Sequence, residues 1–182
     1  VVYSLEGGSL KTEYRVLNRD SREMYFSVGG HPRYACPIGA DGTRFEDYIV
    51  EFEKPESPKN IVKSYGPVKV IEKFWSADGK RLKLDYSMFE KGCFCLAPVN
   101  SRSLTLKSAK SSRSLTLSIA GVTHLQFWTS VGGPFIAFEP WYGSITSIPA
   151  KPIESDWKKR PGTLKAAPGA EFSCAYTATP GR

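Results

Sequence analysis

Ser103-Leu104-Thr105-Leu106-Lys107 and, after a polar stretch, Ser114-Leu115-Thr116-Leu117-Ser118-Ile119 decide the fold. Leu104 and Leu106 alternate with polar residues, and so do Leu115, Leu117 and Ile119. A period of two puts these apolar side chains on one face of an extended chain and the polar ones on the other. A helix would scatter the same residues around its circumference. Ser108 to Arg113, between the two segments, is polar and turn-like. The pair reads as two half-buried strands.

The same pattern spreads outward in both directions. Leu10 to Leu17 alternates and ends on the turn Asn18-Arg19-Asp20-Ser21; Met24 to Val28 follows as a short strand. Ile49 to Phe52, Lys69 to Phe74 and Arg81 to Leu84 add strands, the last two joined at Asp78-Gly79, a hairpin signal. His124 to Thr129 and Pro134 to Phe138 are richer in apolar and aromatic residues and read as central strands. Glu171 to Thr177 closes the series. Helical patterning is confined to Tyr86 to Lys91, while 13 prolines and 16 glycines punctuate the rest. Many short strands between turns predict an all-β sandwich or barrel, with residues 1–182 as a single domain. Ile145 to Leu164 reads as a long loop, of the kind that borders sites.

Composition narrows the function. At 182 residues, 41% hydrophobic and 13% aromatic, the chain can bury a core. No apolar run is long enough for a membrane span, and Val1-Val2-Tyr3-Ser4 lacks the pattern of a signal peptide. The first residue is not Met and the chain starts in mid-strand pattern, so the true start is expected upstream. The net charge is +7, but the lysines and arginines are dispersed and no nucleic-acid-binding motif accompanies them. Nucleic acid is therefore not an expected partner, whereas a basic face suits anionic sugars. Cys36, Cys93, Cys95 and Cys174 have no zinc-ligand spacing and read as buried thiols of a reducing, cytoplasmic compartment. Cys93 and Cys95, two apart, point the same way on a strand.

The chemistry concentrates in two segments. Val28-Gly29-Gly30-His31-Pro32 holds one of only two histidines where a strand breaks off. Imidazole exchanges a proton near neutral pH, so His31 is a candidate general acid; a strand-end histidine satisfied by hydrogen bonds is the competing reading. Phe138-Glu139-Pro140-Trp141-Tyr142-Gly143 ends an apolar strand on a carboxylate. Such a group is costly to bury without a partner, which makes Glu139 a candidate base or one half of a salt bridge. Trp141 and Tyr142 can stack on a sugar ring or belong to the core. His124 reads as a half-buried strand residue. The histidines show no metal-ligand spacing, and no Gly-x-Ser-x-Gly elbow or phosphate-binding glycine loop is present.

Gly29-Gly30-His31-Pro32 and Glu139-Pro140-Trp141-Tyr142-Gly143, with Tyr14-Arg15-Val16-Leu17-Asn18, Leu125-Gln126-Phe127-Trp128-Thr129 and Pro168-Gly169-Ala170-Glu171-Phe172, resemble the aldose 1-epimerase (galactose mutarotase-like) superfamily. The pattern is that of its short bacterial branch. The resemblance implies a β-supersandwich, incomplete at the N-terminus, that interconverts the α and β anomers of a free hexose without a cofactor or metal. It implies that His31 protonates the ring oxygen and Glu139 takes the proton of the anomeric hydroxyl, with Trp141, Tyr142 and Gly30 around the sugar. Family members are longer at the N-terminal side, where another histidine and an arginine reach the sugar. A further N-terminal segment or a partner chain is thus expected, and a shortened sandwich is expected to expose edge strands and core. Two positions also depart from the family: Ser144-Ile145-Thr146-Ser147, where an aspartate is usual, and Gly92, where an acidic residue is common. A carbohydrate-binding module without turnover, or a basic sandwich that binds proteins, uses the same scaffold.

Overall fold

The structure, a computed structural model, describes residues 1–143 and 156–182. Among these residues fifteen strands run in chain order: β1 (Val2–Glu6), β2 (Ser9–Leu17), β3 (Met24–Phe26), β4 (Val28–Gly29), β5 (Arg33–Ala35), β6 (Tyr48–Phe52), β7 (Ile61–Ser64), β8 (Arg81–Lys83), β9 (Phe94–Leu96), β10 (Ser103–Ser108), β11 (Ser114–Ser118), β12 (His124–Trp128), β13 (Phe135–Tyr142), β14 (Leu164–Ala166) and β15 (Glu171–Gly181). They form a seven-stranded sheet, β1-β2-β15-β11-β10-β6-β8, and a six-stranded sheet, β4-β13-β12-β9-β7 with β5 also on β13. β3 and β14 make a separate ribbon. The pairings are antiparallel.

The leucines of β10 and β11 do what their period of two requires. β10 and β11 pair with Leu104 opposite Leu117 and Leu106 opposite Leu115. Leu104, Leu106 and Leu117 are fully buried, and Thr105 and Thr116, across the ladder on the other face, share a hydrogen bond of 2.9 Å. The inward residues of this sheet meet those of the second, Phe94 and Leu96 from β9, Leu125 and Phe127 from β12, Ile136 and Phe138 from β13, in one core. Phe127 stacks on Phe94 at 4.7 Å between centroids and meets Phe52 of the opposite sheet edge-on at 6.3 Å. Two facing antiparallel sheets with an aromatic seam are a β-sandwich. The core is covered; the exposed large apolar side chains include Val1, Val2, Tyr3 and Leu5 at β1 and Leu10 and Leu17 on β2.

Three expectations change. Lys69 to Phe74 is no strand: residues Val68–Glu72 form one short helix, α1, with Pro67 at its N-cap. Ile71 is buried and Phe74 packs on the core, a spacing of three that suits a helix, and such a short apolar run reads either way. The Asp78-Gly79 turn forms nonetheless, with Ser76 accepting from Gly79 and Trp75 bridging Leu82. The helical patterning at Tyr86 to Lys91 shrinks to a 3₁₀ turn, Tyr86–Met88, capped by the Asp85 carboxylate. β13 runs on past Phe138 to Tyr142, through a proline. Of the loop expected from residue 145 onward, residues 145–155 lie outside the described residues, as does the stretch 144–147; the described end carries a 3₁₀ turn, Trp157–Lys159, and then β14.

Candidate active site

β13 sorts its residues by alternation. Ile136, Phe138 and Tyr142 face the core, so Ala137, Glu139 and Trp141 face the opposite side of the sheet. β12 lies beside it with Gln126 opposite Glu139, His124 opposite Trp141 and Trp128 opposite Ala137. Cys95 of β9 stands opposite Gln126, and Cys93 lines the groove on this face, so the two cysteines do share a side.

His31 arrives from the other edge. β4 pairs with Trp141 and Tyr142, β5 pairs with Phe135 to Ala137, and the connection between them passes the gap at Phe138 to Pro140. There the Gly30 N–H donates to the Pro140 carbonyl at 3.0 Å. In a strand the N–H and C=O of one residue point the same way, so the N–H that Pro140 lacks would also face this gap. A proline fits inside the strand for that reason. The glycine pair is required by close approach. A Cβ on Gly29 would sit 2.4 Å from the Trp141 ring, and one on Gly30 2.8 Å from the Tyr176 hydroxyl.

This path brings His31 and Glu139 together. Glu139 is 1% exposed, and its Oε1 lies 3.1 Å from His31 Nε2. Its Oε2 accepts from the Gln126 amide at 2.8 Å. The contact with His31 is not aligned as a hydrogen bond, so Oε1 is a buried acceptor with no donor directed at it. The His31 side chain is 48% exposed and meets Trp128 edge-on, at 5.7 Å and 80°. An open groove of ≈ 250 Å³ is lined by His31, Glu139, Gln126, Trp128, Arg33 and Tyr65, among others. The buried Glu56 shows the contrast. Its Oε1 accepts from the backbone N–H groups of Asn100 and Ser101, both at 2.8 Å, and its Oε2 from the Asn100 amide at 3.1 Å. Glu56 is a satisfied structural carboxylate; Glu139 has one oxygen without an aligned donor, at the wall of the groove. Such a pair, an imidazole against a carboxylate oxygen, can pass protons to and from one small molecule.

The other expected residues divide. Trp141 shares the Glu139 face, but its ring packs against Gly29 and its indole N–H is buried without an acceptor. Tyr142 is a correction. It follows Trp141, so alternation turns it into the core, where its hydroxyl donates to the Ala175 carbonyl at 2.8 Å. Gly30 is a second correction: its N–H is taken by Pro140, and its bare α-carbon makes room for Tyr14 and Tyr176. His124 is half-buried, as read, with Nδ1 2.9 Å from the Thr123 hydroxyl; burial lowers its pKa. Gln126, Trp128 and Arg33 were missed as site residues. The alternation of His124-Leu125-Gln126-Phe127-Trp128 carried the signal for two of them, because pairing with the Glu139 strand puts Gln126 and Trp128 on its face. Among the described residues no group of three His, Cys, Asp or Glu side chains could hold a metal ion, and no helix is long and apolar enough to cross a membrane.

Superposition on solved structures shows that this two-sheet sandwich is a galactose mutarotase-like fold. A galactose mutarotase-like protein from Lactobacillus casei superposes with a TM-score of 0.77 at 30% identity, over 98% of this chain and 61% of that one. A galactose mutarotase related enzyme from Lactobacillus acidophilus superposes with a TM-score of 0.81 over 99% and 60%, and at 17% identity shows the fold alone. In sequence the chain is 36% identical to the chromosomal LacX protein of Lactococcus lactis over 174 residues, 92% of this chain and 56% of that protein. No family model matches. The chain has a galactose mutarotase-like fold, resembles proteins of the aldose 1-epimerase superfamily, and spans a little over half the length of the curated relatives it matches.

Proposed function

We propose that this chain carries the proton-transfer site of an aldose 1-epimerase-type isomerase acting on a hexose. The observation that supports it is the buried Glu139 Oε1, without an aligned donor and 3.1 Å from His31 Nε2 at an open groove. Glu139 takes the proton of the anomeric hydroxyl while His31 gives a proton to the ring oxygen. The bond between C1 and the ring oxygen breaks, leaving an open-chain aldehyde. Rotation about C1–C2 turns the other carbonyl face, and the same two transfers in reverse close the ring. The exposed His31 swings aside to admit the sugar, whereas Gln126 and the strand hold Glu139. Trp128 offers an apolar surface to a pyranose face. Each proton-transfer group contributes about 10²- to 10⁴-fold. Burial pushes the Cys36 thiol up to about 12, so it is an inert core thiol; a reducing, cytoplasmic setting is part of the proposal.

The test is anomer exchange of freshly dissolved α-glucose and α-galactose, followed by polarimetry or NMR. Glu139→Gln and His31→Asn each lower the catalysed rate by about 10²-fold or more while the melting temperature stays near the parent's. Unchanged rates would remove both roles. Sugar binding without any acceleration would leave a carbohydrate-binding module instead.

A further inference from the structure

From the groove beside His31 we infer that the site takes a hexose carrying an anionic group at C6, and that Arg33 is the residue that selects it. This rests on the proton-transfer reading above, because that reading orients the sugar. In a pyranose the ring oxygen joins C1 to C5, and C5 bears C6. With Glu139 at the anomeric hydroxyl and His31 at the ring oxygen, the C6 arm leaves on the His31 side, away from Glu139. Arg33, two residues beyond His31, lines the same groove and is the cation we assign to that arm.

Its surroundings suit that duty. The guanidinium carbon lies 5.0 Å from the Trp128 ring centroid and 5.1 Å from that of Phe135. Trp128 is also the ring that His31 meets edge-on, so one indole carries both the acid and the cation. Stacking on two aromatic rings pre-orders a planar guanidinium. Among the described residues Arg33 is in no ion pair, whereas Arg15, Arg22, Arg44 and Arg81 each hold a carboxylate. The carboxylate in the groove, Glu139, is engaged by Gln126 and lies against His31. The fork of Arg33 donors is thus left to an incoming phosphate or carboxylate, which it can bind through two parallel hydrogen bonds.

The experiment titrates the chain with glucose 6-phosphate, glucuronate and glucose by calorimetry, and measures anomer exchange of the same three sugars by NMR. At least one anionic sugar binds 10-fold or more tighter than glucose, the preference weakens with salt, and glucose 6-phosphate against glucuronate tells phosphate from carboxylate. Arg33→Gln reduces the anionic-to-neutral affinity ratio at least 10-fold, and Arg33→Lys keeps part of it because the charge stays and the fork is lost. A ratio near one in the parent chain, a ratio untouched by Arg33→Gln, or no binding of any of the three overturns the inference. Preferential anion binding without faster exchange upholds it and removes the isomerase reading; exchange of glucose without any preference does the reverse.

Discussion

Glu139, inside β13, and Glu56, outside any strand, are both carboxylates withdrawn from water, and their partners tell them apart. Glu56 receives backbone donors on one oxygen and an amide on the other; Glu139 receives the Gln126 amide on Oε2 alone. On the proton-transfer proposal, Gln126 is a positioning residue. Replacing it with Leu removes a hydrogen bond to a charged group, about 1.5–3 kcal/mol, which corresponds to about a 10- to 100-fold fall in kcat if it is expressed in the transition state. KM should hold, since the groove walls remain; an equal rise in KM would assign Gln126 to sugar binding. His124, on the same face, follows a different logic. Burial disfavours its charged form, so its pKa in the fold lies below its ordinary value near 6.5. The unfolded chain then binds the extra proton first. This residue's contribution to stability is complete above about pH 6.5 and is lost as pH falls through that value towards the lowered pKa. Melting curves of His124→Gln and the parent should converge or diverge across that interval alone; parallel curves from pH 8 to 5 would show that the imidazole titrates alike in both states.

At the scale of the element, the connection from β4 to β5 decides whether the site exists. It must pass Pro140 closely enough for Gly30 to donate to it, and Gly29 must lie flat on the Trp141 ring. A methyl at Gly29 meets two ring carbons and the Pro140 carbonyl, at 2.4, 2.6 and 2.9 Å, and neither ring nor backbone yields cheaply. Gly29→Ala should cost about 1–3 kcal/mol in denaturant unfolding and move His31 off Glu139, so activity falls more than stability accounts for. A variant of parental activity would mean that the loop re-closes without the glycine. Much at this scale was legible in the sequence: β2, β6, β10, β11 and β12 follow alternation, and the glycine-histidine and glutamate-proline segments hold the two side chains that the fold brings to 3.1 Å. The short strands β5, β7 and β9 were not legible: three or four residues are too few to show a period, and β3 and β8, equally short, were legible through the turn signals Asn18-Arg19-Asp20-Ser21 and Asp78-Gly79 before them. α1 was misread because its apolar run fits both periods. Alternation after Trp141 turns Tyr142 inward only because β13 continues through Pro140, which a proline in the sequence does not announce.

At the scale of the molecule, the fold class followed from counting strands and turns, but which sheet faces which could not, since antiparallel pairing is set by contacts far apart in sequence. The aromatic seam is where that choice is made. Phe127 touches Phe94 and Phe138 within its own sheet and Phe52 across the sandwich, and all four are buried. The site hangs on the reverse side of the same strand, one residue from Phe127 at Gln126 and Trp128. A shared strand couples core and groove: loosening the seam tilts the surface on which Glu139 and Gln126 face each other. Phe127→Ala should therefore destabilise the fold by about 3–5 kcal/mol, the range for deleting a buried aromatic. Hydrogen exchange should quicken together in β6 and β12, one strand from each sheet, if the sandwich opens as a unit. Protection lost in β12 while β6 keeps its own would show that the sheets are stable separately, and that the seam joins them without holding either one up.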